Sequence, residues 1–497
     1  MTTPDWVKDA IFYQIFPDRF ARRPAFGAGK SARNPASTLP FEPWDSAPTP
    51  HGFKGGDLYG VIEKLDYLQE LGITAIYFNP IFASACNHRY HTYDYYNVDP
   101  LLGGNDVFKK LLKEAHKRDI RIVLDGVFNH ASRGFWQFNH VLETGEASPY
   151  CDWFYFDEER LKGKKHWGAF PTHHEESALK HEDSLTAIGY RAWWNLPALP
   201  KFNTDTPAVR EFIFDVAEYW IKLGVDGWRL DVPAEIDDDE FWREFRRRVR
   251  AMNPDAYIVG EIWHEAQRWL QGDQFDAVMN YLITAVSLNF FASKHLNMHI
   301  IQHAGGIKDR IRPMNAYDSA NEIDRIMNLY PQDITHAQLN LLDSHDMPRF
   351  LSCASGDKNS LKLAWLFMFT IPGAPCIYYG DEVGVDGGHD PECRKSFPWD
   401  ESKWDKDLLE YAKACISLRK EHASLRRGEY KRVYAEGDVM AYARSYKNEN
   451  ITIAFNVSNE DKTIELTFSK KPHVLFGKPV VAGNQVTIPP RSGVVLK

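Results

Sequence analysis

Between residues 11 and 379 the chain repeats one pattern: a short apolar run, then a segment of helical periodicity. The runs fall at 11–16, 73–78, 120–127, 227–231, 257–262, 275–279, 338–342 and 375–379. Runs this short and this apolar read as strands buried on both faces. The segments between them carry helix signals. Asp57 reads as the N-cap of LYGVIEKLDYLQELG, which stops at Gly72. Asn105 opens DVFKKLLKEAHKRD, and Asp205-Thr206-Pro207 starts AVREFIFDVAEYWIKLG with proline in the first turn. Eight strands alternating with helices predict an α/β fold, a (β/α)8 TIM barrel. An open doubly wound sheet is the alternative, but no glycine-rich phosphate loop follows the first run.

Two stretches leave this rhythm. From 131 to 199, after the third run, the chain is rich in aromatics, including Phe135, Trp136, Phe138, Trp153, Phe154, Trp167, Phe170, Tyr190, Trp193 and Trp194. A connection this long inside a compact domain is usually functional. It reads as a small inserted domain, most of its rings forming its own core and a minority facing a ligand. Past the helical stretch 408–425, runs at 430–434, 439–444, 451–456, 463–468, 473–476 and 485–488 read as short strands joined by turns, an all-β sandwich. The expected division is therefore a barrel over 1–130 and 200–426, an insert over 131–199 and a C-terminal β-sandwich over 427–497. Residues 21–50, rich in Pro, Ala and Ser, read as an irregular prelude over the barrel.

A net charge of −9 with no basic stripe argues against nucleic acid as a partner. Six cysteines are scattered without a CxxC pair, which favours a reducing, cytoplasmic compartment over a disulfide framework or zinc site. No signal-peptide pattern and no membrane-length apolar run is present. Aromatics make up 14 % of residues, enough to fill a large core and also to offer faces on which sugars stack.

Functional groups of a barrel sit at the C-terminal ends of its strands. The fourth run ends Gly227-Trp228-Arg229-Leu230-Asp231, so Arg229 and Asp231, two apart on a strand, project together. The cation is expected to hold that carboxylate ionised. The third run ends Asp125-Gly126-Val127-Phe128-Asn129-His130, the fifth ends at Glu261, and the seventh runs into Asp343-Ser344-His345-Asp346. The eighth leads to Asp381-Glu382 and then Asp390-Pro391-Glu392-Cys393-Arg394. Any one strand-end acid can be structural, as a helix cap or an arginine partner. The full set predicts polar groups converging on one face from five strands.

These blocks carry a resemblance. DGVFNH, GWRLDV, GEIW and LLDSHD, together with FYQIFPDRF at 12–20, GGDL at 55–58 and LPKFN at 199–203, resemble the motifs of the α-amylase family of glycoside hydrolases. Within it the chain looks most like the cyclomaltodextrinase, neopullulanase and maltogenic amylase group, over nearly its whole length. The resemblance implies Asp231 as nucleophile, Glu261 as general acid/base and Asp346 as transition-state stabiliser of a retaining α-glucan hydrolase. It implies substrate contacts from His130, His345, Asp390, Arg394, Glu235 and Trp263, with Arg229 as the charge partner of the nucleophile. Ungapped, Tyr90 of Asn87-His88-Arg89-Tyr90-His91 stands where the family's tyrosine stacks under the cleaved glucose; a shifted alignment would give that role to Tyr93. The implied partner is an α-glucan oligosaccharide, a maltooligosaccharide or a cyclodextrin. No cofactor is required: Asn129 matches a position used for calcium in many amylases, but no clear acidic loop completes it.

Two departures matter. The group's VANE is here Val232-Pro233-Ala234-Glu235, so asparagine has become Ala234. That leaves the α-1,6/α-1,4 balance and the extent of transglycosylation open. The barrel pattern also starts almost at residue 1, where most of the group carries an N-terminal β-domain through which dimers form. Two other readings stand beside hydrolysis: a transglycosylase on maltooligosaccharides, and a non-catalytic sugar-binding protein on the same fold.

Overall fold

The structure is a computed structural model, and it describes residues 3–23, 41–165, 168–468 and 470–497. Trp167 and most of the prelude, residues 24–40, lie outside the described residues.

All eight apolar runs are strands: β1 (Phe12–Ile15), β2 (Ala75–Phe78), β3 (Arg121–Gly126), β4 (Gly227–Leu230), β5 (Tyr257–Gly260), β6 (Ala277–Val278), β7 (Leu339–Leu341) and β8 (Ala374–Tyr378). Their order is β6-β5-β4-β3-β2-β1-β8-β7, every pairing parallel. A parallel bridge from Met279 to Leu339 joins β6 to β7 and closes the barrel. Most strands are buried along their whole length, as continuous apolar runs require.

The helix signals act locally. The Asp57 side chain accepts from Gly60 N at 2.8 Å and starts the helix Leu58–Glu63. A second piece, Leu65–Leu71, ends at Gly72 in the left-handed region. Pro207 opens the helix Pro207–Leu223. The helix expected to open at Asn105 begins one residue earlier, at Gly104, and runs to His116. Asn105 instead accepts from Val98 N at 2.8 Å and fastens the preceding strand.

Three excursions shape the C-terminal face. After β2 the chain makes a hairpin, Phe82–Ser84 against Thr92–Val98. After β3 comes the aromatic excursion, in which Phe135, Phe138, Trp153, Phe154 and Tyr190 are buried together with Phe202. Bridges Phe154–Phe202 and His130–Lys201 tie it to the segment leading to the next helix. Trp194 and Phe170 remain exposed. The third excursion follows β8 and carries Asp390 and Arg394.

The C-terminal residues form a five-stranded and a three-stranded antiparallel sheet. Val439, Ala441, Ala454, Ile464, Val486 and Val494 pack together as a separate apolar cluster. Two strands escaped the sequence pattern, Val480–Ala482 and Ser492–Leu496. Among the described residues no helix is long and apolar enough to cross a membrane.

Candidate active site

Strand register builds the centre of the site. Asp125 of β3 pairs directly with Arg229 of β4. Asp231 and Glu261 lie one residue beyond β4 and β5, and both are buried. Parallel pairing continues through them: Asp231 N donates to Gly126 O and Glu261 N to Leu230 O. Four acidic and basic side chains are thus set by ladder geometry.

The Arg229 guanidinium is fully buried and serves three carboxyls. Its Nη1 lies 2.9 Å from Asp231 Oδ1 and 2.9 Å from Asp125 Oδ1, and its Nη2 lies 2.9 Å from Glu261 Oε2. One positive charge therefore faces three acids, with Asp346 nearby. This changes the expectation that Arg229 keeps Asp231 ionised. Burial, Glu261 and Asp125 push the Asp231 carboxyl well up, against the pull of Arg229. Burial, helped by Asp346, pushes Glu261 up to about 7, again against Arg229. A buried group of acids with too few cations holds protons, and these carboxyls titrate together.

Asp346 differs. Burial opposes its ionisation, but His345, Arg394 and Arg229 outweigh it and hold the carboxyl well below the usual range. Arg394 Nη2 is 3.3 Å away and His345 Nε2 is 3.0 Å away. Burial lowers the pKa of His345 itself, so its gift is a hydrogen bond and the arginines supply the net charge. The Gln14 amide, 2.9 Å from His345 Nδ1, places the imidazole proton on Nε2, which faces the Tyr90 hydroxyl at 2.6 Å and Asp346 at 3.0 Å.

Tyr90 stacks on His345 (5.3 Å between centroids, 5° between planes), and its hydroxyl donates to Asp125 at 2.9 Å. Trp263 stacks on Tyr281 at 3.7 Å and donates to Glu261 Oε1 at 3.2 Å. The Trp263 indole packs against Gly305 and Gly306, where a Cβ would come within 2.7 and 2.9 Å of it. Val232 adopts φ 35°, ψ 50°, a left-handed conformation costly for a β-branched residue, by order 1–3 kcal/mol. That turn aims Val232 N at Glu261 Oε2, 3.1 Å away.

A cavity of about 690 Å³ opens over these groups. Tyr90, Asp231, Glu261, Trp263, Asp346, Asp390, Arg394 and Glu235 all line it, as do His88, His91, Trp193, Trp194, Ala234 and His264. Tyr93 is not on its wall, which favours the ungapped alignment. Arg229 and His345 lie beneath the wall, bonded to residues on it. His130 is also off the wall; it is buried and stacked on Trp193 at 5.0 Å. Asp381 and Glu382 do not join the site. Arg349 Nη1 pairs with Asp381 at 2.7 Å, and the Tyr13 and Tyr67 hydroxyls donate to Glu382. Asp125 was a strand-end acid with no assigned role; its signal was its place in the block that pairs with GWRLDV. The platform formed by Trp193 and Trp194 (4.4 Å) had only its aromatic composition to announce it.

The fold and site define a class: a (β/α)8-barrel enzyme with a cluster of carboxylic acids at the C-terminal face, the equipment of a glycoside hydrolase. A model of the α-amylase catalytic domain matches residues 14–428, and one of the α-amylase C-terminal domain matches 428–474. The chain belongs to the α-amylase family. It is 46 % identical to a cyclomaltodextrinase of a Bacillus species over 93 % of this chain and 75 % of the relative. It is 42 % identical to neopullulanase 2 of Thermoactinomyces vulgaris over 94 % of this chain and 72 % of the relative. A solved debranching enzyme from Nostoc punctiforme superposes with a TM-score of 0.87 at 44 % identity, covering 100 % of this chain and 99 % of that one.

Proposed function

We propose that the protein is a retaining α-glucan hydrolase that cleaves α-1,4-glucosidic bonds in maltooligosaccharides and cyclodextrins through a covalent glycosyl-enzyme. The observation that carries this reading is the shared guanidinium: Arg229 binds both Asp231 and Glu261 at 2.9 Å, with Asp346 on the same cavity wall. Two carboxyls on one guanidinium favour the short spacing of a retaining pair, about 5–5.5 Å, over the wider spacing of an inverting pair.

In the productive form one proton of the cluster sits on Glu261 and Asp231 is ionised, as a retaining displacement requires. Glu261 protonates the glycosidic oxygen while Asp231 attacks the anomeric carbon. Ionised Glu261 then takes a proton from water, whose oxygen displaces Asp231. Asp346, kept ionised, binds hydroxyls of the oxocarbenium-like sugar, and Tyr90 stacks beneath it. Asp390 and Arg394 hold the next sugar on the non-reducing side; Trp263 and Glu235 serve the leaving-group side. His130 acts through Trp193. Relatives named for neopullulanase and debranching activity support α-1,6 bonds as additional substrates.

Calcium does not fit Asn129. Its Oδ1 accepts from Lys201 Nζ at 2.8 Å, and that ammonium also lies 2.7 Å from Glu235 O. The amine supplies the positive charge there, so we propose hydrolysis without a metal. We also keep the division into 1–130 with 200–426, 131–199 and 427–497 as our proposed domain boundaries. The reading is tested by time-resolved digestion of maltotriose, cyclodextrin, starch and pullulan, with and without a chelator. Products longer than maltotriose would favour transglycosylation. No turnover of any of the four would overturn the proposal.

A further inference from the structure

One group of side chains beside the cavity, two of them on its wall, has no part in the hydrolytic scheme. Cys86, His88 and His91 lie on the tip of the hairpin that follows β2, and their ligand atoms all fall within 4.8 Å of one another. Cys86 Sγ is 3.4 Å from His88 Nδ1, and the two imidazoles sit 5.1 Å apart at 83°. Ideal tetrahedral zinc sets a sulfur and a nitrogen ligand about 3.6 Å apart, from bond lengths of about 2.3 and 2.05 Å.

We propose that Cys86, His88 and His91 form a binding site for a borderline transition-metal dication such as Zn2+, and that its occupancy obstructs the sugar cavity. The hairpin tip is held in place for this. Arg89 takes a left-handed φ of 63°, its Nη1 donates to Asn87 O at 2.6 Å and its Nε to Asp99 at 3.0 Å. Ser84 Oγ fastens the other side, donating to His91 O at 2.8 Å. The hairpin tip is thus held largely by backbone and arginine bonds, with Ser84 Oγ also 3.4 Å from Cys86 Sγ. A metal taking His88 Nδ1 displaces one long contact, from Tyr90 N at 3.3 Å.

The donor set selects the metal. One sulfur and two imidazole nitrogens suit Zn2+, Co2+ or Ni2+, whereas Ca2+ and Mg2+ want oxygen. Three protein ligands leave a coordination position open. His88 and His91 both line the cavity beside Tyr90, so that position faces the sugar. Burial and the charged neighbours weaken the site. Arg394 acts on His88 and Arg133 on His91, both repelling a dication, while Asp346 attracts it. The result is a reversible inhibitory site rather than a structural one.

Cobalt titration of the full chain tests this directly. One equivalent of Co2+ should give a thiolate-to-cobalt charge-transfer band that Zn2+ abolishes, with no competition from Ca2+ or Mg2+. Cys86→Ser should lose the band and raise the Zn2+ concentration for half-inhibition of maltotriose hydrolysis at least about tenfold. Cys86 is not on the cavity wall, so metal-free turnover should not change. Cys151→Ser should keep the band. A wild-type protein without the band, or a Cys86→Ser protein with it unchanged, overturns the proposal, as does loss of the band in Cys151→Ser. The inhibition arm rests on the hydrolytic reading; the cobalt band reports the site even if maltotriose is not a substrate.

Discussion

Two buried arginines in this barrel hold carboxylates, and they do opposite things with them. Arg229 serves Asp125, Asp231 and Glu261, and two of those acids open onto the cavity. Arg349 serves Asp381, donates to Tyr379 O and Cys393 O as well, and does not line the cavity. Asp343 beside it accepts from Phe350 N at 2.6 Å. Both clusters follow barrel strands and both contain acids whose pKa burial raises. The difference is what each cluster faces. The Arg349 cluster is tied to the backbone at Tyr379 O, Cys393 O and Phe350 N and fixes the loops after β7 and β8. The Arg229 cluster is short of cations and faces open space, so its protons can move to a ligand.

The comparison breaks first at Glu261. Glu261→Gln should lower hydrolysis by about 10²–10⁴-fold with the fold retained by circular dichroism. Wild-type rates in that variant would place the Arg229 cluster with the structural one. Asp381→Ala should do the reverse, costing about 3–5 kcal/mol in denaturant unfolding by stranding the Arg349 charge, while turnover per folded molecule stays near normal. If activity falls with stability unchanged, the two clusters have been assigned the wrong way round.

pH sharpens the contrast. Glu261 must be protonated for the first step, so kcat/KM should fall as pH rises through about 7. The same shift acts on stability. A carboxyl whose pKa is raised on folding stabilises the native state below its unfolded pKa, and this is lost as pH rises through about 7. Above that pH, Glu261→Gln should therefore unfold at higher denaturant than the wild type, although it is inactive. A smaller effect is expected at Ala234, on the cavity wall next to Glu235. Ala234→Asn restores the group's residue there and should shift the ratio of α-1,6 to α-1,4 cleavage on pullulan a few-fold, with total activity little changed.

The strands were legible because a parallel barrel demands runs buried on both faces, and eight such runs stand in the sequence at the right lengths. Arg229 and Asp231 were legible as a same-face pair because strand periodicity is two. Of the two missed C-terminal strands, Val480–Ala482 is three residues long and largely exposed, so no apolar pattern marked it, whereas Ser492–Leu496 is buried and carries the apolar run Val494-Val495-Leu496. Asp381, Glu382 and Asp343 read as site acids because position at a strand end is all a sequence displays. Tyr13, Tyr67 and Arg349, which claim two of them, are remote in sequence.

The sequence by itself determined the barrel, the order of its strands and the identity of the acids beyond β4, β5 and β7, since each depends on local periodicity and motif. Tertiary structure alone decided how many carboxyls share Arg229, which acids see the cavity, and that Lys201 takes the oxygen of Asn129. It also decided that His130 supports Trp193 from below and that a hairpin gathers Cys86, His88 and His91. Charge and proton affinity depend on distances between residues far apart in the chain, and only closure of the barrel sets those distances.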